Sequence, residues 1–354
     1  MTAVGALGVA HPGEFLKIPG RLFPAVLHRA AEGIPVENKK DIDSMIINRT
    51  LAPSAGESAV ALGSFDGLHV GHRKVISLAL AGAERGLVPT VFTFAENPKA
   101  RRRAFGGLLL PEEEKIRLLE EMGVAQLYLL DFDSIKGLSP AAFAADVLGG
   151  VCRAKRVCCG FNFTFGCGGT AGSADLRRLC APLGVETAVA DAVLADGEPV
   201  SSTRIRKLVE QGRADEAALL LGRPFGYESP VLPGRRLGRR LGTPTLNQAV
   251  PEELVQPKFG VYASAVSFGG AVCCGVTNVG VKPTVGSDAV LAETWMPAYR
   301  GPDLYGRTVR VGLLKFLRPE RKFGSLEELR LEIRRNGAQA EQYFQENTPA
   351  GGKL

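Results

Sequence analysis

Gly63-Ser64-Phe65-Asp66-Gly67-Leu68-His69-Val70-Gly71-His72 is the stretch from which the chain is read. It follows the apolar run Ser58-Ala59-Val60-Ala61-Leu62, which reads as a buried strand, and precedes Arg73 to Ala83, whose apolar residues recur at helical spacing. A strand, a glycine turn and a helix start therefore succeed one another. Unpaired backbone N–H groups and the positive end of a helix dipole meet there, a ready site for phosphate. Gly63, Gly67 and Gly71 let the backbone approach a ligand without a Cβ in the way. Two of the chain's four histidines fall in this stretch, three residues apart, so both rings lie on one side of the first helical turn. A glycine-rich turn alone is weak evidence; the paired histidines make it specific.

The chain has 354 residues, too many for one ordinary core, and two domains are expected. Its 45% hydrophobic and 23% charged content are those of a globular protein. The net charge of +6 is mild and gathers at Arg101-Arg102-Arg103 and at Arg235, Arg236, Arg239 and Arg240. Such clusters suit anionic nucleotides or simply a solvated face. No interleaved aromatics or nucleic-acid motif accompany them, so no nucleic-acid partner is expected. The seven cysteines lack paired CxxC spacing, and Cys158-Cys159 and Cys273-Cys274 are adjacent, which is poor geometry for a bond between neighbours. Free thiols in a reducing cytoplasm are the expectation. No apolar run long enough for a membrane span is present, nor is a secretion signal at the N-terminus.

From Ser58 onward short apolar runs alternate with helical segments. The strands are expected at 58–62, 88–94, 126–130, 155–159 and 186–190, and the helices near 71–84, 112–122, 140–148 and 174–182. Such alternation argues for a parallel sheet covered on both faces, with ligands at the carboxyl ends of its strands. Two later loops also lie at strand ends. In Gly160-Phe161-Asn162-Phe163-Thr164-Phe165-Gly166, phenylalanines provide flat apolar surfaces and Asn162 an amide that donates and accepts, although alternation in a half-buried edge strand would look the same. In Ser201-Ser202-Thr203-Arg204-Ile205-Arg206, a helix cap is followed by arginines within one turn, a pattern that suits phosphate oxygens as well as an ordinary capped helix.

After the helix expected at 214–221, Gly222 reads as a stop and the pattern changes. Runs at 261–268, 271–280 and 308–317 alternate or are β-branched, and one helix is expected from Leu326 to Arg335, with Ser325 and Glu328 as a capping box. Short strands with a terminal helix suggest a small antiparallel barrel. Gly234 to Asn247 forms a second glycine-rich, basic segment that includes Gly238 and Gly242 and lacks the lysine of a P-loop. Thr245 and Asn247 offer two oxygen ligands on one strand face, suited to Mg²⁺.

The histidine stretch resembles the HxGH signature of the nucleotidyltransferase superfamily, and its Gly-x-Phe-Asp-Gly lead-in is similar to that of the bacterial bifunctional riboflavin kinase/FAD synthetase family. Further motifs match in order: Gly-x-Asn-Phe-x-Phe-Gly at 160–166, Ser-Ser-Thr-x-Ile-Arg at 201–206, Gly-x-Pro-Thr-x-Asn at 242–247, and Gly260-Val261-Tyr262-Ala263, Asn278 to Thr284, Glu293-Thr294 and Asp303 to Gly306. The resemblance spans residues of about 56 to 345. It implies a Rossmann-like α/β HxGH nucleotidyltransferase domain followed by a small antiparallel riboflavin kinase-like β-barrel with a C-terminal helix. The boundaries expected are 1–55, an unassigned extension; 56–222, FMN adenylyltransferase; 223–229, a linker; 230–346, riboflavin kinase; and 347–354, a tail.

Carried over residue by residue, the resemblance implies catalytic roles for Glu293, His69, His72 and Arg204. It implies nucleotide binding by Gly63, Phe65, Asp66, Gly67, Gly71, Ser201, Ser202, Thr203, Arg206, Gly234, Gly238 and Gly242. Flavin binding falls to Asn162, Phe163 and Phe165, and metal binding to Thr245 and Asn247. The substrates are ATP, riboflavin and FMN, the products FMN and FAD, with Mg²⁺ as cofactor. Small molecules are the only partners implied, and self-association is left open. Two departures stand out: Glu96-Asn97-Pro98 replaces the family's Pro-His-Pro, which puts that histidine's contribution in doubt, and Leu246 replaces an alanine. A kinase with a weakened adenylyltransferase, or a flavin-binding regulator without turnover, remain the alternatives.

Overall fold

The computed structural model of the protein describes residues 44–97, 106–234, 242–281 and 290–347. Lys99, the Arg101–Arg103 cluster, Gly238 with the four arginines around it, Lys282-Pro283-Thr284, most of the expected extension and residues 348–354 lie outside them.

Six parallel strands form the first sheet: β1 (Ile46–Asn48), β2 (Ser58–Leu62), β3 (Val88–Phe94), β4 (Gln126–Leu130), β5 (Ala154–Gly160) and β6 (Glu186–Ala190). Their order is β1-β4-β3-β2-β5-β6. Both faces of β2 are buried: Ala59 and Ala61 pack with Val75 and Ile76 of α1 (Val70–Leu80), while Val60 and Leu62 pack with Phe143, Val147 and Leu176 on the other side. This two-sided burial is why β2 reads as an unbroken apolar run. Leu118 and Leu119 of α2 (Glu112–Glu121) join the first layer. The second layer is α3, which starts as an α-helix over Pro140–Ala142 and continues as a π-helix over Phe143–Val151, together with α4 (Ser173–Cys180). From β2 the chain winds outward through β3 and β4, then returns to β5 on the opposite side of β2. The carboxyl ends of β2 and β5 therefore flank the crevice where open α/β sheets bind ligands.

Two helices, α5 (Ser202–Glu210) and α6 (Ala214–Leu221), lead to a second, antiparallel sheet. Its strands are β7 (Phe225–Pro230), β8 (Thr245–Ala249), β9 (Gly260–Phe268), β10 (Ala271–Val281), β11 (Val290–Trp295) and β12 (Thr308–Arg318), in the order β7-β12-β9-β10-β11-β8. The sheet curls into a half-barrel until its edges meet. Leu232 donates its N–H to the Asn247 carbonyl at 2.7 Å, and the buried Gln248 side chain donates to the carbonyls of Ser229 (2.7 Å) and Val309 (2.8 Å). One core joins the units, since Ile205, Leu208 and Leu221 pack in the same cluster as Phe225, Tyr227 and Tyr262.

Three expectations are corrected. The segment expected as an extension contains β1, which pairs with β4; a three-residue edge strand has no period to read. The expected linker is mostly β7, paired along its length with β12; its Gly and Pro concealed the strand. The last helix, α7 (Leu326–Asn347), continues through Asn336-Gly337 rather than ending at Arg335. Gly337 is a packing glycine: a Cβ there would lie 2.7 Å from the Trp295 ring, and buried Asn336 accepts from Arg318 Nε at 3.0 Å.

Inside the half-barrel the hydroxyls of Ser264, Thr277 and Thr294 form a buried chain, 2.7 and 2.9 Å between neighbours. Thr277→Val removes the middle member and breaks both hydrogen bonds, so unfolding in urea should show a loss of about 1–3 kcal/mol. An unchanged midpoint and slope would mean that the chain contributes nothing to stability.

Candidate functional site

The turn after β2 is strained. Phe65 (φ 45°) and Leu68 (φ 43°) take left-handed backbone conformations on either side of Gly67 (φ 84°), and both side chains are buried. Non-glycine residues hold such angles only where their surroundings over-determine them. His69 then caps α1: its Nδ1 accepts the backbone N–H of His72 at 3.2 Å. In the neutral ring this leaves the proton on Nε2, which is free to be a donor to an anion. Burial pushes the His69 pKa down to about 4, and the nearby Arg223 cation pushes it the same way. The His69 and His72 rings stack with centroids 3.6 Å apart, and Phe65 meets His72 edge-on at 5.4 Å. A Cβ on Gly71 would come within 3.2 Å of the His69 ring, so this position holds the imidazole's space open.

Asp66 fixes the turn from below. It is only 2% exposed, accepts the Leu109 N–H at 3.0 Å and forms an ion pair with buried Arg206. Asn97 also bonds this carboxylate, so the residue in the place of the family's histidine braces the same turn. Burial raises the Asp66 pKa, an effect that Arg206 opposes. From α5, Ser202 donates to the Asp66 carbonyl at 2.9 Å, and Arg206 Nε donates to the Gly107 carbonyl at 2.7 Å. Asp66 and Arg206 thus form a buried brace, a role that motif spacing does not reveal. Ser201 caps α5 by accepting the Arg204 N–H, and Thr203 is exposed. Arg204 is held by the carbonyls of Ala195 (2.8 Å) and Glu198 (3.2 Å) and by the carboxylates of Asp196 and Glu198.

The loop after β5 divides its aromatics. Phe165 is buried against Phe143, and Phe163 stacks on Phe165 at 5.7 Å. Phe161, 50% exposed, and exposed Asn162 form its accessible surface. Phe161 is the exposed ring of this loop and Phe165 is buried; strict alternation between glycines did not reveal which phenylalanine faces inward.

In the half-barrel, Glu293 on β11 stands directly opposite Asn247 on β8 and Asn278 on β10. Opposed residues share a face, and Thr245, two residues from Asn247, shares it too. Glu320 approaches from beyond β12, accepting from Asn278 Nδ2 at 3.1 Å. The Asn278 Oδ1 is buried without a partner, and Gly234 lies so close to Asn247 that a Cβ would meet its amide at 2.2 Å. Neutral oxygens beside a carboxylate are a hard donor set that fits a divalent cation carried with phosphates. Gly242 is exposed just before β8, and Leu246 packs at the edge of the shared core.

Sequence reasoning missed Arg223 and Glu114. Both are buried and lie together where the two sheets join, but Arg223 fell in the supposed linker and Glu114 in a run of three helix-start acids.

Comparison with known proteins matches residues 52–204 to the FAD synthetase family and residues 221–344 to the riboflavin kinase family. The bifunctional riboflavin kinase/FMN adenylyltransferase of Bacillus subtilis (strain 168) is 31% identical over 81% of this chain and 93% of its own length. That of Escherichia coli (strain K12) is 33% identical over 86% and 98%. A solved structure described as a macrolide-efflux protein from Streptococcus pneumoniae shares 28% identity, covers 84% of this chain and 99% of its own, and superposes with a TM-score of 0.76. Among the described residues no helix is long and apolar enough to cross a membrane.

His69 supplies a pH test. Its folded pKa of about 4 lies below the ordinary 6.5, so the folded state resists its protonation. The stability linked to this group is complete above about 6.5 and is lost as pH falls toward about 4. In an NMR titration the His69 ring should remain neutral from pH 8 to about 5, where a solvated histidine would already be largely protonated. A midpoint near 6.5 would contradict the buried cap.

Proposed function

The chain belongs to the bifunctional riboflavin kinase/FMN adenylyltransferase family, and from that premise we propose how its two halves divide the work. The enzyme phosphorylates riboflavin with ATP to give FMN, then transfers the adenylyl group of ATP to FMN to give FAD and pyrophosphate. The observation that carries the division is the placement of two unlike sites on two sheets: a histidine turn at a helix start on one, and a carboxylate between two asparagines on the other.

Phosphorylation activates a primary alcohol, which is scarcely ionised near neutral pH. Glu293 takes the hydroxyl proton, the riboflavin oxygen attacks the γ-phosphorus, and ADP leaves. Thr245 and Asn247 would hold Mg²⁺ with the ATP phosphates, and the cation's chemistry is to neutralise their charge. Gly234 and Gly242 flank the entry to this face; Gly238 is assigned to the same segment from the motif alone.

Adenylyl transfer needs no base, because the attacking FMN phosphate is already an anion. The site must align two phosphates and offset their repulsion. The α1 amides, the Nε2–H of His69 and the His72 ring serve the phosphates of ATP, with Gly63, Gly67 and Gly71 keeping the approach clear. Ser201, Ser202 and Thr203 place the start of α5 beside them, while Phe65, Asp66 and Arg206 hold the turn's shape. Arg204 reaches the triphosphate by exchanging its contacts with Asp196 and Glu198. Asn162 and Phe163, with Phe161 in the part first given to Phe165, receive the isoalloxazine ring. Seven unpaired cysteines fit a reducing compartment, and we place the enzyme in the cytoplasm.

The test is purified protein with riboflavin, ATP and Mg²⁺, resolving riboflavin, FMN and FAD over time. Wild type should form both products. His72→Ala should accumulate FMN, its adenylylation reduced by about 100-fold or more. Glu293→Gln should lose about 10²- to 10⁴-fold in FMN formation and still convert added FMN to FAD. If one substitution abolishes both steps in a folded protein, the two-site division is wrong.

A further inference from the structure

Beneath the histidine turn, three guanidinium groups surround one carboxylate. Glu114 of α2 is 6% exposed; its Oε1 lies 2.5 Å from Arg310 Nη1, 3.8 Å from Arg117 Nη2 and 3.9 Å from Arg223 Nε. These are ion-pair contacts rather than aligned hydrogen bonds, since Glu114 Oε1, Arg223 Nε and Arg310 Nη1 are buried without one. The groups come from different parts of the chain. Glu114 and Arg117 belong to α2 of the first sheet's layer, Arg310 to β12 of the half-barrel, and Arg223 to the junction just before β7. Arg223 also donates from Nη1 to the carbonyl of Gly67, in the middle of the strained turn, at 2.8 Å. Burial lowers the Arg223 pKa to about 9, which keeps it a cation at neutral pH.

A buried Arg223–Glu114 pair without an aligned hydrogen bond between them, flanked by partly exposed Arg310 and exposed Arg117, is a poor way to stabilise a fold, because desolvation outweighs an incompletely satisfied ion pair. Such a cluster is better explained by what it holds. Gly67 sits between the two left-handed residues that carry the chain to His69. Its carbonyl is the direct bond from the junction into this turn.

Building on the functional reading above, we propose that Arg223 is a positioning residue for adenylyl transfer: it ties the Gly67 carbonyl, through the carboxylate of Glu114, to Arg310 of the kinase half. The FAD-forming site is then shaped in part by the docking of the other half. Among the described residues the kinase face, where Glu293 on β11 stands between Asn247 on β8 and Asn278 on β10, has no corresponding tether to the cluster, and on this proposal that face is independent of it.

The experiment uses the full chain and measures two activities of each preparation: FAD from added FMN and ATP, and FMN from riboflavin and ATP. Arg223→Met should lower kcat for FAD formation by about 10- to 100-fold, with a change of less than about 3-fold in the KM for ATP and riboflavin phosphorylation within about 2-fold of wild type. Arg223→Lys, which keeps the charge, should recover part of that loss. Arg310→Met, whose side chain is partly exposed and lies in the kinase half, should lower the same kcat by about 3- to 10-fold. It decides the matter if Arg223→Met fails to fold. Full FAD formation by a folded Arg223→Met, or by Arg310→Met when the former does not fold, would overturn the proposal, as would parallel loss of both activities. If wild type itself makes FMN but no FAD, the parent reading of the first half fails and the proposal with it; if wild type makes FAD and the variants match it, only the proposal fails.

Discussion

The buried ion pair between Asp66 and Arg206 is the constraint on which the first site depends. The turn that bears the histidines contains three left-handed backbone positions within four residues, Phe65, Gly67 and Leu68, and such a segment relaxes unless it is held. Asp66 holds it by binding the Leu109 amide, Asn97 and Arg206 at once, while its carbonyl accepts from Ser202. The turn, the lead-in to α2 and the start of α5 therefore share one anchor. A buried pair of this kind adds little to net stability, because both charges leave water. Its value lies in geometry: it ties three separate segments of chain into one unit.

The same logic explains why the site stands at the boundary of β2 and β5. Parallel strands leave their carboxyl ends open where the winding reverses, and the two loops with the richest chemistry follow those two strands. One presents amides and neutral imidazole; the other presents Phe161 and Asn162. The second sheet solves a different problem. Antiparallel pairing places Glu293 between two asparagines in register, so a carboxylate and neutral oxygen donors converge without a loop to carry them. In the division proposed above, one fold half stabilises charge that already exists, and the other removes a proton.

Much of this was legible in the sequence. The strands of the first sheet are buried on both faces and read as apolar runs, and the histidine spacing marked the helix start. The positions that misled share a physical cause. Arg206 and Asp66 carry charge, and charge in a motif suggests contact with ligand; only packing reveals that they bind each other. Phe163 and Phe165 fit the alternation, but the loop turns Phe165 into the core beside Phe143 and leaves Phe161 outside. β7 and the second half of α7 were hidden by glycines whose reason is close packing rather than a chain break. Arg223 and Glu114 meet only because the two sheets dock, which no local pattern encodes.

The central claim, that a buried ionic brace shapes the FAD-forming site, is tested most directly by a double-mutant cycle. Asp66→Asn, Arg206→Met and the combined variant are compared with wild type for the rate of FAD formation from added FMN, with riboflavin phosphorylation as the internal check on folding. The account predicts a large loss in each single variant, kinase activity retained, and a double variant no worse than the poorer single one, because the two residues act as a unit. Additive losses, or full FAD formation by either single variant, would contradict it.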